Sequence, residues 1–542
     1  MNHHPARVNL RYVLTAFLTG AAVMIAEIAA ARAIAPHFGT SIIVWTNVIG
    51  IILVALSLGY WIGGRLSERC VPSSKKIPDS RFQILNDEQV LGAIILAAGV
   101  LLLIPAFAVP VIADSMIGNL LRSGSGFLVL LLGSFFSVVM LFAMPIFLLG
   151  MVSPFLVKLA CVRVSPSPSR SPSPEGEKMG VEVGTIAGKL YAISTMGSLI
   201  GTFLPTLVLL PTIGTRWTIL SAAAVLIALG AALITRRRAV AMAGVVVLVL
   251  VLVPEHAPSW FLGGTVVAAA ESRYQYLRII DQDGDRLLVF NEGLGVQSVA
   301  VDETNIPGGY FSVIAALPAL IDHHPVRVLI LGNAGGTIGN LMQRFFPDRT
   351  LEITGVELDP AVTAITAAHF PPPPRPYPIV HADSRAFVRQ SNEQYDMVVV
   401  DAYTNQLTIP PHLATVEFFR LLRERLAPNG VVIANVNAPS EESLLFRTIV
   451  QTVAEVFPSV VEGYSSAWNR LIIASGEPAD LNRLHSTSLP STLRVPGSPL
   501  ETFLQAAKPV VRDRTLRIFM DDWAPLELMT DFEMFDAIRK VK

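Results

Sequence analysis

Three acidic residues close apolar runs in the second half of the chain: Glu357 after LEITGV, Asp383 after PIVHA and Asp401 after YDMVVV. Carboxylates accept hydrogen bonds and protons, so acids gathered on one rim can hold hydroxyls or amines and act as a general base. A fourth apolar run, 328–331, breaks into a glycine cluster, Gly332, Gly335 and Gly336, and then a helical stretch. Glycine lets backbone approach a ligand, and the N–H groups at a helix start complement ligand oxygens. Glu357 follows Gly336 by 21 residues, the separation at which a nucleotide-binding βαβ unit presents an acid to a ribose. The spacing is GxxGG and not GxGxxG, which argues for an adenosyl ligand over a dinucleotide. A plain structural turn is the competing reading of the glycines alone.

Such acids share a rim only if the runs before them are parallel strands. Strands are expected at 326–332, 351–357, 378–382, 396–401 and 430–436, with helical segments between them and a closing hairpin at 459–464 and 470–475. That alternation implies a parallel sheet covered on both faces, with ligands bound outside the carboxyl ends of its strands. Upstream, ESRYQYLRIIDQDGDRLLVFNEGLGVQSV reads as a β-meander turning at Asp283-Gly284-Asp285. His381 and His412 read as surface or satisfied loop residues, and Trp523 as packing at the domain's C-terminal edge.

The first half is different. The chain of 542 residues is 52% hydrophobic and only 15% charged, with a mean hydropathy of +0.54, too apolar for an ordinary soluble enzyme. A net charge of −1 gives no electrostatic basis for nucleic-acid binding. Two distant cysteines, Cys70 and Cys161, exclude a disulfide framework, and no histidine spacing implies a metal. Apolarity concentrates at 11–33, 42–64, 90–112, 126–150, 187–212, 216–235 and 239–254, about seven candidate membrane spans. Residues 1–255 are therefore expected to form a polytopic α-helical domain whose partner is the lipid bilayer, interrupted by a Ser/Pro loop at 164–180. Glu27 and the run of further spans argue against a signal peptide.

Lys and Arg cluster in alternate loops: Arg7 and Arg11, then Arg65 to Arg81, Lys158 to Lys178, and Arg236–Arg238. That asymmetry places the N-terminus in the cytoplasm. Seven spans would then deliver the C-terminal domain outside, where adenosyl compounds are scarce, so its side stays open. Glu27, Arg32 and Asn47 lie inside spans; they read either as a functional polar group or as structural pairing between helices.

ESRYQ with Gln275, NEGLGVQ with Gln297 and DETNIPGGYFSVIAALPAL precede VLILGNAGGT, GVELDP, HADSRAFV, YDMVVVDAY and MDDWAPLE. Across about 265–535 these segments resemble the spermidine synthase (polyamine aminopropyltransferase) family, a branch of the class I methyltransferase fold. The resemblance implies a small β-meander and gatekeeping helix at 265–320 and a Rossmann-like domain at 321–542. The first half, through FGTS, GYWIGGRL and GKLYAISTMGSLIGT, resembles a transporter-like membrane region fused to some members.

By that resemblance the donor is decarboxylated S-adenosylmethionine or S-adenosylmethionine, held by Gly332, Gly335, Gly336, Glu357 (ribose), Asp383 (adenine) and its neighbour Ser384. Gln275, Gln297 and Tyr310 would line the aminopropyl and amine sites, and Asp401 would deprotonate the attacking amine. Three positions depart from the pattern: Gly335 replaces an acid that fixes the donor's amine, Thr404 replaces a second catalytic-loop acid, and Phe311 replaces a polar residue. The expected function is a membrane-bound aminopropyltransferase-like enzyme acting on a small amine such as putrescine. An S-adenosylmethionine-dependent methyltransferase, or a transporter or sensor with a non-catalytic nucleoside- or polyamine-binding domain, are the alternatives. A homo-oligomer is compatible with all three.

Overall fold

The computed structural model describes residues 9–39, 41–69, 87–121, 129–164, 176–234, 264–291, 295–302, 306–404, 408–466, 468–486 and 489–540. They fall into two compact units, one within 1–256 and one chiefly from 257 onward.

In the first unit, four helices among the described residues are long and apolar enough to cross a bilayer: Leu10–Phe38, Ile42–Glu68, Leu131–Cys161 and Val183–Ile234. The bent pair Asp87–Leu101 and Pro105–Ala113, turned by 47°, would make a fifth. Among the described residues the helices thus give four or five candidate spans where seven were expected along the chain. The segments expected at 187–212 and 216–235 lie in one stretch of 52 residues, broken by the non-helical Gly214 (φ 75°, ψ 173°). Helix count and span count part company there, because a glycine break interrupts a helix without a polar loop. The 90–112 segment breaks before Pro105, whose ring cannot continue a helix without a kink. The 239–254 segment and Arg236–Arg238 lie outside the described residues. The Ser/Pro loop is shorter than 164–180, since the helix Gly176–Leu204 starts two residues after the last of its prolines, Pro174.

Small residues bring these helices together. A Cβ on Gly197 would overlap the backbone of Phe17, and one on Gly201 that of Ala21, so Leu10–Phe38 and Gly176–Leu204 meet nearly backbone to backbone. That is the packing mode expected where lipid removes the hydrophobic drive between helices. Polar side chains bridge helices: the Tyr12 hydroxyl donates to Glu88 at 2.5 Å and Lys158 pairs with Asp87 at 3.3 Å. Asn47 donates to the Leu131 carbonyl and to Ser134, both at 2.8 Å, which favours its structural reading.

In the second unit, β1 (Thr265–Glu271), β2 (Tyr276–Gln282), β3 (Asp285–Phe290) and β4 (Val296–Val299) form the antiparallel meander. Asp283 and Gly284, both at positive φ (51° and 92°), make the two-residue turn whose twist suits a hairpin. The main sheet contains β5 (Val326–Leu331), β6 (Leu351–Glu357), β7 (Ile379–His381), β8 (Tyr395–Val400) and β9 (Leu426–Asn437). It is completed by β10 (Ser459–Tyr464), β11 (Asn469–Ser475) and β12 (Lys508–Pro509). Their order is β12-β10-β11-β9-β8-β5-β6-β7. The strands β5 to β9 pair in parallel, while β11 lies antiparallel between β9 and β10. This is the Rossmann-like arrangement of class I methyltransferases. The chain moves outward from β5 to β7 and then returns to β8, so the crevice opens at the β5/β8 switch point.

Alternation along β5 shows why the sheet is buried on both faces. Val326, Val328 and Ile330 enter one core with Met397, Val399 and Ile433. Leu329 and Leu331 enter the other with Val398, Val400 and Val432. Each fully buried aliphatic chain stabilises the fold by about 1.5–3 kcal/mol relative to exposure, and a one-residue slip would exchange the two faces.

Candidate active site

At the end of β5 the chain turns through Gly332 (φ 90°), and the N–H groups of Gly332 and Asn333 both donate to the Val356 carbonyl of β6, at 2.9 and 3.0 Å. A Cβ here would overlap the Asp401 carbonyl. Glycine at 332 is therefore what lets the ends of β5 and β8 approach. Gly336, also at positive φ (83°), starts the helix Thr337–Phe345.

Glu357 sits against this turn. Its Oε2 accepts the Ala334 N–H at 2.9 Å and its Oε1 the Asp359 N–H at 3.0 Å. Burial pushes its pKa up and these backbone donors partly offset that. The Leu358 N–H is a third backbone donor to it, so the carboxylate braces the turn with three of its roughly four acceptor positions.

The meander docks on the same turn. Ser298 accepts the Gly335 N–H at 2.8 Å, and the Thr337 hydroxyl exchanges hydrogen bonds with the backbone of Val299 at 2.8 and 2.9 Å. A Cβ on Gly335 would lie 2.9 Å from both the Phe370 ring and the Ser298 Cβ. The missing acid at 335 is thus built into the packing, since its space is already filled.

Asp401 follows β8 and lines a cavity with Gln297, Ser298, Tyr310, Phe311, Gly332, Asn333, Ala334, Thr337 and Ile338. Its Oδ1 accepts from Asn435 Nδ2 at 2.9 Å, and the Tyr310 hydroxyl also hydrogen-bonds to it. Enclosure by protein raises its pKa to about 6, against the opposing pull of those two donors. Burial and the neighbouring Asp401 charge keep the Tyr310 hydroxyl protonated, well above its usual range. The Asn435 amide is itself oriented: its Oδ1 accepts from Asn469 at 3.3 Å, and Asn469 accepts from Ser466 at 3.0 Å. That chain keeps the Asn435 N–H₂ turned toward the carboxylate.

Asp383 caps the helix Ser384–Gln390, accepting the Ala386 N–H at 2.8 Å. Its other oxygen meets His412 Nε2 at 2.8 Å. Burial raises its pKa, but the Ala386 N–H and His412 outweigh it, so the net shift is downward. His412 is therefore a loop histidine satisfied by a proposed ligand-binding acid. Next to it, Arg385 makes a two-pronged ion pair with Asp521 of the MDDWAPLE segment, 2.7 Å on each arm. Trp523 packs on the core beside Phe519, as expected, with Arg517 3.6 Å above its ring.

The structure brings Gln297, Tyr310, Gly332 and Asp401 onto one cavity, with Glu357 behind its glycine wall through Ala334. Asp383 and Ser384 lie outside that lining, at the next strand end. Gln275 is buried and its backbone N–H is held by Ser272 at 3.0 Å; it too lies outside the lining. Asn435, Asn469 and Ser298 were not legible as site residues. The one available signal was an asparagine interrupting the otherwise apolar end of VVIANVN.

Residues 308–477 match the spermine/spermidine synthase domain, an interval that holds Tyr310, the glycine turn, Glu357, Asp383, Asp401 and Asn435. The chain is 30% identical over 276 residues to a probable polyamine aminopropyl transferase of Bifidobacterium longum, covering 48% of this chain and 61% of that one. It is 28% identical over 197 residues to a polyamine aminopropyltransferase of Vibrio vulnificus, covering 34% and 65% respectively. It thus spans less than two thirds of either relative. A probable spermidine synthase from Corynebacterium glutamicum superposes with a TM-score of 0.39 at 20% identity, over 48% of this chain and 99% of that one. The C-terminal half of the chain carries a spermine/spermidine synthase domain.

Proposed function

We propose that the chain is a membrane-bound transferase that moves an aminopropyl group from decarboxylated S-adenosylmethionine to a small amine, with putrescine the first to try. The observation that carries this reading is Asp401: an enclosed carboxylate, raised to about 6, facing a cavity walled by a glycine turn. When bound, the donor would supply a carbon made electrophilic by the adjacent sulfonium. Glu357 and Asp383 would hold its ribose and adenine, each with a lone pair left after its backbone contacts. Asn435 and Tyr310 hold Asp401 in place, and Asp401 takes the proton that the amine releases.

The intact protein in detergent, given decarboxylated S-adenosylmethionine and an amine, is expected to release methylthioadenosine. Because Asp401 must be ionised to accept a proton, kcat/KM reckoned on the neutral amine should fall about tenfold per unit as pH drops below about 6. The filled space at Gly335 favours a second reading, methyl transfer from S-adenosylmethionine, in which no acid is needed there; adenosylhomocysteine release would support it. Release of neither product would favour a transporter or sensor.

The first unit is read as bilayer-embedded, with seven spans if 239–254 also crosses. The N-terminus and the loop at Arg236–Arg238 are expected in the cytoplasm. Reporter fusions after residues 175, 237 and 265 test this: an extracytoplasmic signal at 175 overturns the orientation, and opposite signals at 237 and 265 mark the seventh span.

A further inference from the structure

Three separate segments are tied together around Asp383. Its Oδ1 accepts the Ala386 N–H at 2.8 Å, and the Arg385 N–H is a second backbone donor to the carboxylate. Its Oδ2 meets His412 Nε2 at 2.8 Å. A carboxylate only accepts, so that imidazole nitrogen carries the hydrogen. His412 is held in turn, its backbone carbonyl accepting from Arg385 Nη1 at 3.2 Å. The same guanidinium grips both oxygens of Asp521 at 2.7 Å, a pairing that fixes direction as well as charge. Asp521 also accepts from the Thr415 hydroxyl at 2.8 Å, three residues past His412. The Asp383 and His412 side chains are still 40% and 46% exposed, so both lie within reach of a ligand.

We infer that His412 is a positioning residue for the donor's base: it sets the plane of the Asp383 carboxylate so that the carboxylate receives an exocyclic amine. This rests on the transferase reading above, in which Asp383 takes the adenine, and adds the residue that sets the selectivity there. The aspartate χ2 torsion is broad and roughly two-fold, so contacts decide the plane and the torsion does not. Two backbone N–H groups and the imidazole fill three of the roughly four acceptor positions. The remaining position has its direction fixed by the other three, and one N–H of an amine fits it. A base with a carbonyl at that place would turn a lone pair toward the carboxylate. Arg385 and Asp521 keep His412 in place, which gives the MDDWAPLE segment a part in reading the base.

Methylthioadenosine and methylthioinosine differ in the base, which carries an amine in one and a carbonyl in the other. Calorimetric titration of the intact protein in detergent should show methylthioadenosine bound at least about tenfold more tightly. In His412→Ala its affinity should fall about five- to tenfold, and the preference over methylthioinosine should narrow because the carboxylate plane is no longer set. His412→Gln, whose amide restores an N–H donor, should recover most of both. In turnover, the donor KM of His412→Ala should rise by more than kcat falls, since the contact is at the base and not at the reacting carbon. Unchanged methylthioadenosine affinity in His412→Ala overturns the inference and leaves the transferase reading standing. So does a loss that keeps the preference intact or that His412→Gln does not recover. Equal binding of the two nucleosides by the parent removes the Asp383 role and the inference together, and absence of both nucleoside binding and thioether release removes the transferase reading as well.

Discussion

Asp401→Asn is expected to lower transfer by about 10²–10⁴-fold, the range general bases contribute, while making the protein harder to unfold at pH 8. The two effects share one cause. Enclosure raises the Asp401 pKa from 3.8 to about 6, so the ionised form is disfavoured in the folded state. A raised folded-state pKa means stability that is fully present below pH 3.8 and lost as pH rises through about 6. The shift, which already includes the opposing hydrogen bonds from Asn435 and Tyr310, corresponds to roughly 3 kcal/mol at neutral pH. The gain should be largest at pH 8, smaller at pH 5, where the folded side chain is protonated but the unfolded one is still ionised, and absent below pH 3.8. Thermal unfolding of the intact protein at the two pH values, beside calorimetry of the adenosyl ligand, separates these effects. Donor affinity should change less than about twofold. A variant that melts lower at pH 8 than the parent would refute the electrostatic account of this site.

Glu357→Gln should fail differently. The amide retains one acceptor oxygen, yet both Glu357 oxygens receive backbone N–H groups, from Ala334 and Asp359. One of those donors must then face an N–H₂ group, leaving a buried donor unmet at about 1–3 kcal/mol. Loss of a charge-assisted bond to a ribose hydroxyl costs a further 1.5–3 kcal/mol, roughly tenfold or more in affinity. The variant is expected to bind methylthioadenosine and S-adenosylmethionine at least about tenfold more weakly and to melt lower, whereas Asp401→Asn binds normally. Unchanged affinity would show that Glu357 braces the turn without touching a ligand.

Much of the second unit was legible because its signals are local. The strands from 326–332 to 470–475 were expected within a few residues of their positions, since β-branched runs bounded by turn residues have few other solutions. Glu357 and Asp401 were placed because strand ends are rim positions. What escaped was tertiary. Asn435 and Asn469 meet across β9 and β11, 34 residues apart in sequence, and nothing in either neighbourhood announces the pairing. The filled space at Gly335 depends on Phe370 and Ser298, from two other segments, so sequence showed the missing acid but not why none fits. In the first unit, hydropathy located apolar stretches well, but it does not register a backbone break such as Gly214.

The insertion of β11 between β9 and β10 has a consequence for how the protein matures. β10 is synthesised before β11, yet β11 is its bridge to the rest of the sheet, so β10 cannot dock in the order in which it emerges. Until the hairpin arrives as a pair, β9 presents an open edge, the kind of surface that invites misassembly. Asn469, which orients the amide on Asp401, is the first residue of that late strand. Closure of the sheet and alignment of the Asp401 carboxylate are therefore coupled, and a chain without β11 lacks the amide relay that orients it.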